Sequence, residues 1–357
     1  MTHPPTATGR PARVSVGLML LAAAAAALLL PGEPASADKA EDALAKYEKP
    51  VDQAIDRALA FLAKQQLKTG AFRCGRSPAA VTGLSVMAFL AKGHTPGVGP
   101  YGEVINKGID FLLTQQRPDG VFPPQMYSHA IATLTLSEVS GMVDEQRQKK
   151  IDPALGKALK VIVAAQKVKK AAPHQGGWRY APNSADSDIS CTGWALMSLR
   201  SARNNGADIP KSAIDQAVQF VTNCRFRDGG FGYQPGGGPG LARTGTALLC
   251  LELCGKHRDK LSLGAADWIL KHLSKSFGEA FFYYALYYCS QGMFQLGGEH
   301  WVRFATHMYE MMLKFQREDG SWPQGSSHEA QAGPCYATAM AVLAMSVTYR
   351  QLPIYQR

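Results

Sequence analysis

Two aspartates in the stretch ADSDISCTGW, Asp186 and Asp188, stand close enough to work as paired carboxylates in acid or acid–base chemistry. They also stand just before an apolar segment, where a carboxylate accepts the free N–H groups of a helix's first turn, so the expectation weighs catalysis against capping. Cys250, Cys254 and His257 form a second candidate set, three soft ligands on one helical face at i, i+4 and i+7. Two of them sit near or within the apolar run ALLCLEL and no fourth ligand is visible, so they read as core, with no metal and no cofactor expected. Trp178, Tyr180, Trp194, Tyr233, Phe281, Phe282, Tyr283, Tyr284, Tyr287 and Tyr288 supply a third set, rings that can stabilise a cation by their π faces or pack as core.

These residues need elements to hold them, and a repeat supplies the elements. Gln66, Gly70 and Phe72 recur as Gln116, Gly120 and Phe122 and again as Gln316, Gly320 and Trp322, each Gln, three residues, Gly, one residue, aromatic. Apolar residues ahead of each Gln are spaced as on a helix: Ile55, Leu59 and Leu62; Ile109, Leu112 and Leu113; Met308, Met311, Met312 and Phe315. A second helix richer in Ala, Gly and Thr follows each turn, as in AAVTGLSVMAFLA and CYATAMAVLAM, and small residues suit a closely packed inner layer. Three degraded units fill the gap between the second and last copies, giving six helix pairs and no strand-like alternation. An open solenoid needs polar caps, whereas here the last unit matches the repeat well and ends in an apolar helix. The expected fold is therefore all-α, a single α/α toroid of six helical hairpins. Each Gly should take the tight turn, each aromatic should plug the gap beneath it, and each Gln should tie the turn to its neighbour.

A site in such a ring would be built from the first turns of the inner helices. Aligning the six starts on the small residue that follows gives Thr82, His129, Thr192, Thr244, Tyr284 and Tyr336, with Arg243 and Tyr283 one step earlier in their units. With Trp178 and Trp194 they form the expected cavity rim, set against the plain alternative that they cap helices and pack the axis. Arg243 would either draw an anionic head group or pair with Asp186, Asp188 or Glu279.

The Gln-x-x-x-Gly-x-Trp skeleton of residues 316–322 resembles the repeat of squalene and oxidosqualene cyclases. The chain is similar to the terpenoid cyclase and protein prenyltransferase α/α-toroid superfamily, particularly the short secreted bacterial prenyltransferase and squalene oxidase repeat proteins. The resemblance implies the toroid and a central cavity for an apolar or isoprenoid-like ligand. It also implies an Asp-x-Asp-Asp acid, but Ile189 stands where the last Asp of that motif belongs. The zinc site of the prenyltransferases is missing too: there is no Asp-x-Cys, and Gly333 falls where its His would be, ahead of Cys335 and Tyr336. The leading expectation is thus a ligand-binding toroid without the known catalytic apparatus. The alternatives are an atypical terpenoid cyclase or glycan-active enzyme using Asp186 and Asp188, with Glu329 as a further carboxylate, and a structural or protein-binding toroid.

The N-terminal residues carry an expectation about the compartment. Arg10 and Arg13 precede an apolar run from Val14 to Leu30, and Ala35 and Ala37 close it, the layout expected of a signal peptide over residues 1–37 with cleavage after Ala37, a retained membrane anchor being the alternative. Residues 38–357 would then be the toroid, periplasmic or secreted. The net charge of +10 is concentrated in RQKK at 147–150 and KVKK at 167–170, which suits attraction to anionic cell-surface material; no stacking aromatics interrupt the lysines, so nucleic acid is not expected. Seven cysteines scattered through apolar helices read as core residues with at least one free thiol.

Overall fold

In the computed structural model the backbone is described from residue 34 and the side chains from residue 43, both to residue 355. The leader expected over residues 1–37 falls almost wholly outside the described residues. Among the described residues thirteen α-helices follow in order: α1 (Pro34–Lys64), α2 (Pro78–Ala91), α3 (Gly102–Gln115), α4 (Met126–Val139), α5 (Glu145–Lys167), α6 (Ile189–Asn204), α7 (Lys211–Asn223), α8 (Leu241–Leu253), α9 (Lys260–Lys271), α10 (Phe282–Leu296), α11 (Gly298–Phe315), α12 (Ser327–Ala332) and α13 (Pro334–Met345). Among the described residues there are only isolated bridges and no strand.

The helices separate into two layers because their sequences bury differently. Every residue of α4 is buried except Tyr127, while α3 buries only a stripe led by Ile105, Ile109 and Leu112. The inner ring is α2, α4, α6, α8, α10 and α13, each packed on the next and α13 back on α2; α1, α3, α5, α7, α9 and α11 lie outside. The ring is closed.

The repeated glutamine makes the closure legible atom by atom. Gln66 Nε2 donates to the carbonyls of Gly70 at 3.1 Å and Val104 at 2.8 Å, its own turn and the next outer helix. Gln116 does the same to Gly120 and Ala154, and Gln166, from a unit whose signature is degraded, to Gly176 and Ala213. Gln316 donates to Gly320 at 3.0 Å and to Ala54 at 2.7 Å, so the last unit treats α1 as its next outer helix.

The turn glycines carry the same message. Gly320 has φ +89, and a Cβ there would lie 2.3 Å from the Arg57 carbonyl oxygen on α1. Gly206 has φ +88 with nothing within 4 Å. Gly206→Ala therefore samples the left-handed cost alone, about 1 kcal/mol, whereas Gly320→Ala adds a backbone collision and should lose about 2–3 kcal/mol by urea unfolding. Equal losses would mean that the turn does not press on α1.

The opposite end of the ring, at the C-termini of the inner helices, is filled by residues 346–355. Tyr355 is buried there, its hydroxyl 2.5 Å from that of Tyr287, and the Ile354 amide donates to Glu138 Oε2 at 3.2 Å. Among the described residues no helix is long and apolar enough to cross a membrane.

Candidate active-site cavity

With the far end plugged, the ring opens at the N-terminal ends of its inner helices, around a cavity of 560 Å³. All six inner helices or their caps reach it: Ala80, Val81 and Leu84 from α2, Tyr127 from α4, Ser190 from α6, Ala242 and Arg243 from α8, Phe281 and Tyr284 at α10, and Tyr336 from α13. The size falls within the range of small-molecule sites, and the lining is largely apolar and aromatic.

Three phenols form the lower wall. Tyr127 and Tyr284 lie with ring centroids 6.4 Å apart, and burial pushes the hydroxyls of Tyr127, Tyr284 and Tyr336 well above their ordinary pKa, so they stay neutral donors. Trp194 supports them from the core, T-shaped against Tyr127 at 6.1 Å and stacked on Tyr287 at 5.3 Å.

The mouth is cationic and strained. Ser77 and Phe281, both lining it, take left-handed backbone conformations at φ 50 and φ 59, a costly choice for a bulky residue such as Phe281. Arg76, Arg243 and His328 also line it. Arg243 donates to the Gly238 carbonyl at 3.0 Å, and neither it nor Arg76 forms an ion pair among the described residues.

One carboxyl group belongs to the lining, that of Glu329 on α12. It is only 3% exposed. Its Oε1 accepts the amides of Tyr283 at 2.8 Å and Tyr284 at 3.2 Å, capping α10 from the neighbouring unit, while Oε2 has no partner. Burial raises its pKa to about 7 against those amide bonds, which favour the charged form.

A family model, the prenyltransferase alpha-alpha toroid domain, matches residues 38–279 and 269–356. The chain belongs to that family. Among solved structures it is similar to the type II terpene cyclase MstE from Scytonema in complex with merosterolic acid A, at 15% identity and TM-score 0.56, covering 87% of this chain and 100% of that one. It is also similar to an alpha-1,6-mannanase of Salegentibacter sp. bound to alpha-1,6-mannotetrose, at 8% identity and TM-score 0.63, covering 84% and 99%. At such identities the likeness is one of fold. No curated protein matches the chain.

Within this prenyltransferase toroid the sequence-derived rim divides. Arg243, Tyr284 and Tyr336 line the cavity. Thr82, His129, Thr192 and Thr244 instead look back at the turns, where they accept the amides of Phe72, Phe122, Trp178 and Phe231 at 3.0–3.1 Å. His129 Nδ1 accepts, so Nε2 carries the proton and donates to Ala158; burial lowers its pKa to about 4, which keeps it neutral. Trp178 is a turn plug that donates to the Ile162 carbonyl, Trp194 lies beneath the wall, and Tyr283 turns its hydroxyl to the Pro323 carbonyl.

Asp186 and Asp188 do not line the cavity. Asp188 is fully buried and caps α6, accepting the Cys191 amide at 2.9 Å, and Arg179 lies 3.4 Å from both carboxylates. Arg179 in turn packs on the rings of Tyr180 and Tyr233, whose hydroxyls meet at 2.7 Å, and those rings are what the cavity sees. Arg243 accordingly has neither aspartate, and Glu279 bonds the Lys275 amide. Cys250 is buried in α8 and His257 is turned to Glu252; among the described residues no group of three or more His, Cys, Asp or Glu is placed to hold a metal.

The sequence reading missed Tyr127, Ser190, Ala80 and Ala242. Each stands two residues before an aligned Thr or His, about 200° round the helix, so the same alignment held the signal on its other side.

Proposed function

We propose that this toroid binds an apolar, isoprenoid-like small molecule in its central cavity, with an acidic end turned toward Arg243 and Arg76. The observation that carries the reading is the apolar cavity of 560 Å³ with two guanidiniums at its mouth that lack carboxylate partners among the described residues. It is supported by the ligands of the similar cyclase MstE, which has been captured with merosterolic acid A and with geranylgeranyl dihydroxybenzoate. A pair of carboxylates for glycan cleavage is not at the cavity surface, since Asp186 and Asp188 are held behind Tyr180 and Tyr233. The reading needs no cofactor. Export by the leader at residues 1–37, leaving residues 38–357 periplasmic or secreted, belongs to the same proposal, as does weak attraction of the exposed Lys149, Lys150, Lys167 and Lys169 to anionic cell-surface material; Lys170 is buried against the Ala165 carbonyl and Arg147 is paired with Asp110 and Asp144, so neither contributes.

Farnesoate is a suitable probe. Arg243→Met should weaken its binding more than about tenfold, the value of a charge-assisted hydrogen bond, while thermal stability changes little because no carboxylate is stranded. Calorimetric titration decides it. A wild-type protein that binds no isoprenoid chain would end the ligand-binding reading and leave a structural or protein-binding toroid.

A further inference from the structure

We infer that Cys74 and Cys335 are a disulfide-forming pair, a covalent latch that joins the first and last units of the ring beside the cavity mouth. Such a latch needs no ligand, so it is independent of the binding reading. Cys74 lies in the link between Phe72 and α2, just ahead of the mouth residues Arg76 and Ser77. Cys335 lies in the first turn of α13, next to the wall residue Tyr336. Nearly the whole ring separates them in sequence.

Three observations bring them together. The backbone segments that carry them touch, since the Gly75 amide donates to the Ala332 carbonyl at 3.3 Å. Glycine at both crossing points permits that approach: a Cβ on Gly75 would lie 2.3 Å from the Gln331 carbonyl oxygen, and one on Gly333 would lie 3.4 Å from Cys74 Cα. The thiols also feel each other. Burial pushes the Cys335 thiol up to about 12, the neighbouring Cys74 adds to the rise, and the charge and amide of Arg73 oppose it. A disulfide asks for Cα atoms about 4.4–6.8 Å apart. Cys74 Cα already meets the place of a Gly333 side chain two residues before Cys335, and the flanking glycines supply the adjustment the bond needs.

Burial also favours the product. Neither thiol ionises readily in this seam, whereas a disulfide is uncharged. Cys335 is fully buried and Cys74 only half-buried, so Cys74 is the point of entry for a disulfide oxidant, RSSR. The Cys74 thiolate attacks one sulfur of RSSR, forming a mixed disulfide and releasing RSH. Cys335, as its thiolate, then attacks Cys74 Sγ and expels the second RSH. Two thiol protons and two electrons have passed to RSSR, which leaves as two RSH. The export proposed above would place the chain where such oxidants act. The nearest rival pair, Cys250 and Cys254, stands one turn apart at the end of a single helix, where a bond would close only a short loop.

The full chain, reduced and then incubated with oxidised glutathione, is alkylated and cut with trypsin under non-reducing conditions. Cleavage after Arg73, Arg76, Arg317 and Arg350 should release residues 74–76 joined to residues 318–350, each peptide with a single cysteine. The urea midpoint of the oxidised protein should exceed that of the reduced protein by about 1 M, because the bond ties nearly the whole ring into one loop in the unfolded chain. In Cys74→Ser that difference should vanish. Should the variant fold poorly, the peptide map of the wild type decides alone. Glutathione left on Cys74 with no link to Cys335, a link between other cysteines such as Cys250 and Cys254, a linked protein with an unmoved midpoint, or a redox shift that survives Cys74→Ser overturns the inference.

Discussion

Trp322→Ala should lose about 3–5 kcal/mol of unfolding free energy. Trp322 is fully buried, and its indole N–H donates to the Met312 carbonyl at 2.8 Å, so truncation opens a cavity and strands a buried acceptor. Its position multiplies the damage. The turn it plugs is the one that Gln316 and Gly320 press against α1, where the ring closes. Phe72, Phe122 and Phe231 fill the same place in other units, which makes Trp322→Phe the informative control: it keeps the plug, loses the hydrogen bond, and should cost only about 1–2 kcal/mol. Urea unfolding of both variants measures the pair. Trp322 does not line the cavity, so folded Trp322→Ala protein should bind farnesoate as the wild type does. Full stability with altered binding would instead move Trp322 from architecture to function.

The fold was readable because each signature residue answers a local demand. Gly320 is required by a positive φ and a backbone at 2.3 Å, Gln316 by two carbonyls left over at a turn, and the aromatic by the hole beneath it. These demands repeat with the geometry, so they repeat in sequence, and Gln166 obeys them even where its unit has lost the regular spacing. The filling of the ring by residues 346–355 was not readable. That tail makes its contacts with α4, α6 and α10 far away in sequence, and nothing in its own pattern announces a buried Tyr355.

The site was legible only in part, for a geometric reason. Aligning inner helices on Thr82, His129, Thr192 and Thr244 found a real common position, but its job is to hold the turn amides, and the cavity lies on the other side of those helices. Arg179 was invisible because it comes from a turn; once it claims Asp186 and Asp188, Arg243 is released to the mouth. Glu329 stood out in sequence only as one more acid. Its burial depends on α12, a short helix that interrupts the last turn and folds the carboxyl under the start of α10.

A second acid gives the other large effect. Glu138, at the end of α4, is fully buried; its Oε1 accepts the Ser201 hydroxyl at 2.5 Å and its Oε2 the Ile354 amide, so it pins the C-terminal tail into the ring. Burial raises its pKa from 4.5 to about 7. Between those values the unfolded chain releases the proton that the folded protein keeps. The stabilisation is therefore fully present below about pH 4.5, drains away as pH climbs to about 7, and amounts to about 3 kcal/mol. Glu329 adds a drop of the same sign over the same range. His129 opposes them: its folded pKa is depressed to about 4 from 6.5, so it withdraws stability as pH falls through that interval. The wild-type profile mixes all three, and only a difference isolates one. Glu138→Gln cannot ionise and keeps a carbonyl for one of the two donors. Its stability relative to wild type should improve by about 3 kcal/mol on going from about pH 4.5 to about pH 7.5, measured as paired urea unfolding curves. A constant difference at both pH values would mean that Glu138 is already charged in the folded ring, with the tail held by an ionic clamp rather than a neutral one.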